Sequence, residues 1–233
     1  MPRTRPLLSV LLVLLLVPSG IEGQFPEVLT AGDDPVPVLV VPGWGDTAPD
    51  VEPIRQRLIE AGWPESRVST LSFRDPVGSN AAHAQEIGTA IRVLQGLTGA
   101  ERVDVVAHSM GGLAVRQYLV TKEGPPSVRR VAFLGTPHRG TVAAVLAWGD
   151  GGREMVPGSD FLMSLRHEGG VPEGIEALAL RTPMDLRVIP ASSARLRGER
   201  VTNVEVCCPT HTQLVDDADT FDVILRFLVL GPD

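Results

Sequence analysis

The chain has 233 residues, 43% apolar and 21% charged, which is enough for one packed core and excludes a disordered, collagen-like or coiled-coil chain. Its 28 acidic residues against 21 basic ones give a net charge of −7 with no basic block. A protein that grips a phosphate backbone would work against such a field, so nucleic acid is not an expected partner.

Arg3 and Arg5 precede an apolar run from Pro6 to Val17, and the small residues Ser19, Gly20 and Gly23 follow. A charged start, an apolar centre and a small-residue end are the parts of a secretory signal. The run is about 12 residues, whereas a membrane-crossing helix needs roughly 20, so no stable membrane span is expected. Residues 1–23 therefore read as a signal peptide cleaved near Gly20 or Gly23, with 24–233 as a single secreted domain.

From there short β-rich runs alternate with helical periodicities, the pattern of a mostly parallel sheet covered by helices on both faces. Strands are expected at Val36 to Val41, Val68 to Phe73, Val103 to Ala107, Val128 to Leu134, Ile175 to Leu180 and Val201 to Cys207. From Asp50 to Ala61, Val51, Ile54 and Leu58 share one helical face, and from Asn80 to Leu97 so do Ile87, Ile91 and Leu94. Phe221, Ile224, Leu225 and Leu228 repeat the spacing, which predicts a docked C-terminal helix. Thr141 to Gly174 is broken by glycines and reads as a mobile crossover beside the site. Cys207 and Cys208 are adjacent, so no fold-spanning disulfide is available to them, and no metal-ligand spacing accompanies them. They are expected as two thiols near the end of a buried strand.

The chemistry starts at Val103-Asp-Val-Val-Ala-His-Ser-Met-Gly-Gly112, a strand that ends in a tight turn and opens into a helix. Ala107 and Gly111, two residues either side of Ser109, let strand and helix approach, which exposes the Ser109 hydroxyl as a nucleophile. The backbone N–H of Met110 points into the same space at the helix start. A serine needs a base, and His211 follows the last strand, where its loop returns over the carboxyl edge of the sheet. His83, His108, His138 and His167 do not follow a late strand. The acid belongs between serine and base in chain order, after a strand, and Asp185 meets that condition. Gly43 permits a sharp turn after the first strand, which makes the backbone N–H of Trp44 the second oxyanion donor. Trp44, Met110, Val142, Leu146, Trp148, Phe161 and Leu162 offer an acyl-binding surface or simply core.

These residues resemble the α/β-hydrolase superfamily, and within it the small bacterial lipases of the Bacillus type, lipase class 2. Ala107-His-Ser-Met-Gly-Gly112 is similar to that group's nucleophile elbow, with alanine where most of the superfamily has glycine. Leu134-Gly-Thr-Pro-His-Arg-Gly140 and Val156-Pro-Gly-Ser-Asp-Phe-Leu162 resemble further lipase segments, and the likeness runs from about Pro37 to Phe227. It departs at Pro42-Gly43, where the family usually has His-Gly. The resemblance implies an α/β-hydrolase fold with a central sheet of about six strands and a minimal lid. It also implies a Ser109, Asp185 and His211 triad, with Trp44 and Met110 as oxyanion donors.

The expected activity is hydrolysis of carboxylic esters, triacylglycerol-type lipids among them, through an acyl-enzyme that requires no cofactor or metal. Thioesters, amides and polyesters are alternative substrates for the same groups, and a non-catalytic lipid- or partner-binding protein is the alternative outside catalysis. The crossover is too short for a large lid, which predicts activity without strong interfacial activation.

Overall fold

The computed structural model describes residues 34–121, 124–167 and 171–231; the expected signal peptide lies outside them. Strands β1 (Val38–Val41), β2 (Val68–Thr70), β3 (Val103–His108), β4 (Val128–Leu134), β5 (Glu176–Arg181) and β6 (Val201–Glu205) form one sheet, ordered β2-β1-β3-β4-β5-β6. All five pairings are parallel. Such a sheet needs cover on both sides, and β1 and β3 are accordingly buried at every position.

Helices α1 (Ala48–Glu60), α2 (Asn80–Thr98), α3 (Gly111–Leu119), α4 (Gly124–Ser127), α5 (Gly149–Glu154), α6 (Asp160–His167) and α7 (Ala218–Leu230) supply that cover. Successive strand residues face opposite sides, so Leu39 and Val41 meet Ile87 and Ile91 of α2 and Val115 of α3. Val38 and Val40 meet Val51 and Ile54 of α1 and Ile224 of α7. The two amphipathic stretches read from the first half of the sequence therefore cover opposite faces. Helix α1 starts on a reciprocal cap in which the Thr47 N–H and hydroxyl both donate to Asp50.

The crossover after β4 is more regular than its glycines suggest. A 3-10 turn (Val142–Leu146) and the short helices α5 and α6 place Ala144, Met155, Leu162 and Leu165 on Met110 and Leu113 at the start of α3. The cysteines also depart from expectation. β6 stops at Glu205, Val206 is still buried, and Cys207 and Cys208 lie exposed and disulfide-bonded to each other. The sheet edge ends two residues early because the chain turns there toward His211, so no strand remains to bury them. Among the described residues no helix is long and apolar enough to cross a membrane.

Candidate active site

The carboxyl ends of β1, β3, β4 and β5 converge on Ser109. It follows β3 directly and is the one non-glycine residue with positive φ among the described residues, at 52°. That left-handed conformation costs an L-residue roughly 1–2 kcal/mol. The strain is held by the Ser109 N–H, which donates to the Leu134 carbonyl at the end of β4 (2.8 Å), and by the Gly112 N–H, which donates to the Ser109 carbonyl (3.1 Å).

Ser109 and His211 are 102 residues apart in sequence, yet the Ser109 hydroxyl donates to His211 Nε2 at 2.9 Å. His211 Nδ1–H donates to Asp185 Oδ2 at 2.7 Å. A carboxylate can only accept, so Asp185 fixes the proton on Nδ1 and leaves Nε2 free to take one from the serine. Each partner is pinned in turn. The Thr182 hydroxyl, just past β5, donates to the Pro209 carbonyl (2.6 Å), which draws the His211 loop against the loop that carries Asp185. Asp185 Oδ1 accepts the N–H groups of Arg187 (2.9 Å) and Val188 (2.7 Å). The turn Asp185 starts is thus the device that aims its other oxygen at the imidazole.

Burial pushes the Asp185 carboxyl up, but the His211 hydrogen bond and the Val188 and Arg187 N–H groups outweigh it and hold its pKa below the usual 3.8. For His211 burial is the largest influence and wins over Asp185, so its pKa lies below 6.5. A hydroxyl bonded to a neutral, carboxylate-braced imidazole is the arrangement that activates an alcohol for attack on an acyl carbon.

The turn after β1 closes the site from the other side. The left-handed residue there is Gly45 (φ 74°), not Gly43. Gly43 is required for space instead. A Cβ on it would lie 2.9 Å from Ser109 Cβ and 2.8 Å from Asp46 Oδ2. The N–H groups of Trp44 and Met110, the two expected oxyanion donors, have no acceptor among the described residues. Met110 is buried and Trp44 partly buried, and two such N–H groups at one site can donate together to a negatively charged oxygen. Gly111 sits under the same turn, where any side chain would meet the Pro42 carbonyl. Gly111→Ala is therefore expected to destabilise by about 1–3 kcal/mol and to lower kcat, because the obstacle is backbone on the strand that leads into Trp44. Thermal unfolding and ester turnover check this.

The other histidines have separate employment. His108 turns away from the hydroxyl, and its Nε2–H donates to the His211 carbonyl (3.1 Å) while Nδ1 lies 3.5 Å from Asp46. His83 bonds the Asp75 carbonyl and stacks on Phe73. His138 is buried edge-on against Phe133, and burial, then the Arg116 and Arg139 charges, hold it neutral.

A cleft of about 270 Å³ opens onto Ser109. Of the apolar residues expected near the mouth, Trp44, Leu146 and Trp148 line it, whereas Met110 and Leu162 are core. Phe161 packs on that core cluster, and Val142 is exposed outside the lining. The Trp44 indole N–H donates to the Trp148 carbonyl (3.1 Å), with the rings edge-on at 4.4 Å. The sequence reading missed Ala143, Ala144, Ala147 and Met155, and also Arg187, in the lining. Spacing along the glycine-broken stretch carried no sign of the first four, and an exposed loop arginine looks like any solvated charge.

The fold recurs in solved structures. A Bacillus licheniformis lipase in mature form superposes with a TM-score of 0.72 at 17% identity, covering 84% of this chain and 93% of that one. Aspergillus fumigatus lipase B gives 0.74 at 18% identity over 90% of this chain and 55% of its own length. A monoacylglycerol lipase of Paleococcus ferrophilus gives 0.63 at 18%, over 85% and 97%. These likenesses establish the α/β-hydrolase fold. The family model described as lipase (class 2) matches residues 35–161, from just before β1 through the turn that carries Ser109 to the crossover, and that is more than half of the sequence. The chain belongs to the class 2 lipases, a family of carboxylic ester hydrolases.

Proposed function

We propose that this protein is a secreted serine hydrolase that cleaves acyl glycerols or similar lipid esters through an acyl-enzyme. Ser109 Oγ attacks the acyl carbonyl and passes its proton to His211 Nε2, while Asp185 keeps the imidazole oriented and supports its positive charge. The N–H groups of Trp44 and Met110 take the negative charge that develops on the carbonyl oxygen. As the tetrahedral intermediate collapses, His211 returns the proton to the departing alcohol, and water then repeats the sequence on the acyl group. Secretion rests on the sequence of residues 1–23, read as a leader removed to leave a single domain.

The observation that carries this reading is the unbroken chain of hydrogen bonds from Ser109 through His211 to Asp185, at 2.9 and 2.7 Å. The test is covalent. A fluorophosphonate should add once, at Ser109, and abolish release of acid from a short-chain chromogenic ester. Labelling elsewhere, or none, rejects the mechanism.

The pH profile follows with a definite sign. Only neutral His211 accepts the serine proton, so kcat/KM is full above the His211 pKa and falls as pH drops through it. Because burial lowers that pKa, the acid limb is expected below 6.5. A limb at or above 6.5 on a soluble ester contradicts this account of the site.

A further inference from the structure

The cleft is lined mostly by apolar residues, Ala143, Ala144, Ala147 and Met155 among them, and Arg187 is the one charged residue of the lining. Its backbone is fixed on both sides, with the N–H on Asp185 Oδ1 (2.9 Å) and the carbonyl accepting from the Thr141 hydroxyl (2.8 Å). Its guanidinium is exposed and makes no ion pair or hydrogen bond among the described residues.

The proposed mechanism decides which part of a substrate meets this cation. His211 must protonate the departing alkoxide, so the alcohol portion leaves on the imidazole's side. Arg187 lies two residues beyond the carboxylate that bonds that imidazole, and its charge is near enough to disfavour the protonated form of His211. An acyl chain suits the apolar part of the lining, which leaves the alcohol portion on the side of His211 and Arg187. We propose that Arg187 forms an anion subsite on the alcohol side of the cleft, selecting acyl esters whose alcohol carries a phosphate or carboxylate. A guanidinium suits either, because its forked N–H groups match two oxygens of one anion. The inference rests on the serine-hydrolase reading and adds a substrate class to it. The net charge of −7 gives a field that opposes anions at long range, so any preference for them must come from a local contact.

The experiment compares butyryl esters of glycerol, glycerol 3-phosphate and glyceric acid, short enough to stay monomeric in solution. The wild-type chain should favour both anionic esters about fivefold in kcat/KM, the scale of one exposed ion pair. That ratio should fall toward one in Arg187→Gln, be largely kept in Arg187→Lys, and shrink with added salt. Using ratios removes any effect of Arg187 on the basicity of His211, which all three esters share. Anionic esters turned over no faster than the neutral one, or a ratio that survives Arg187→Gln, overturns the subsite while leaving the hydrolase intact. Failure to turn over any of the three overturns the hydrolase reading and the subsite with it.

Discussion

Ser109→Ala lowers kcat on a soluble short-chain ester by roughly 10³ or more, with the protein still folded. Without Oγ there is no proton for His211 Nε2 to accept and no acyl-enzyme, and the residual rate belongs to the oxyanion donors acting on water. The substitution separates chemistry from fold. Alanine keeps a Cβ at a φ of 52°, so the elbow's strain is retained and the melting temperature should stay near that of the wild type. Ser109→Gly removes the hydroxyl and the strain together, and should be equally inactive but more stable by about 1 kcal/mol. Near-normal turnover by the alanine variant rejects Ser109 as nucleophile, and unfolding of that variant shows that the hydroxyl had a structural role instead.

What could be read from sequence, and what could not, divides along the range of the interaction. The elbow was legible because strand, turn and helix are contiguous, so Val103 to Gly112 carries the whole signal locally. Asp185 and His211 were legible by position, each just past a strand that a parallel sheet must orient the same way. The role of Gly43 was misread, since a glycine needed for clearance against Ser109 looks the same in sequence as one needed for positive φ. The apolar lining was hidden because Ala143, Ala144 and Ala147 lie in or just after a 3-10 turn of 5 residues and Met155 follows α5 of 6 residues, both too short to show a helical period. Arg187 was hidden because its distinction is an apolar neighbourhood built by residues some 40 positions earlier. The mutual disulfide of Cys207 and Cys208 depends on where β6 stops, and strand ends are the least readable feature of a sequence.

Asp185→Asn tests directly whether this carboxylate orients the base. Asp185 Oδ1 accepts the N–H groups of Arg187 and Val188, and Oδ2 accepts the Nδ1–H of His211. An asparagine has one oxygen and one NH₂, and the two backbone donors claim the oxygen. Its NH₂ must then face His211 Nδ1, which can accept only if the imidazole proton moves to Nε2, and in that tautomer Nε2 cannot take a proton from Ser109. The expected loss in kcat is on the order of 10⁴, the scale of the same change in other serine hydrolases. The fold should hold, because Arg187 and Val188 keep their acceptor. Asp185→Ala strands both donors and should cost a further 1–3 kcal/mol of stability, roughly, which Asp185→Asn should not. Replacing the carboxylate also removes the influence that favours protonated His211, so whatever acid limb remains should move further below 6.5. Turnover of the asparagine variant within tenfold of the wild type would mean that another group orients the base.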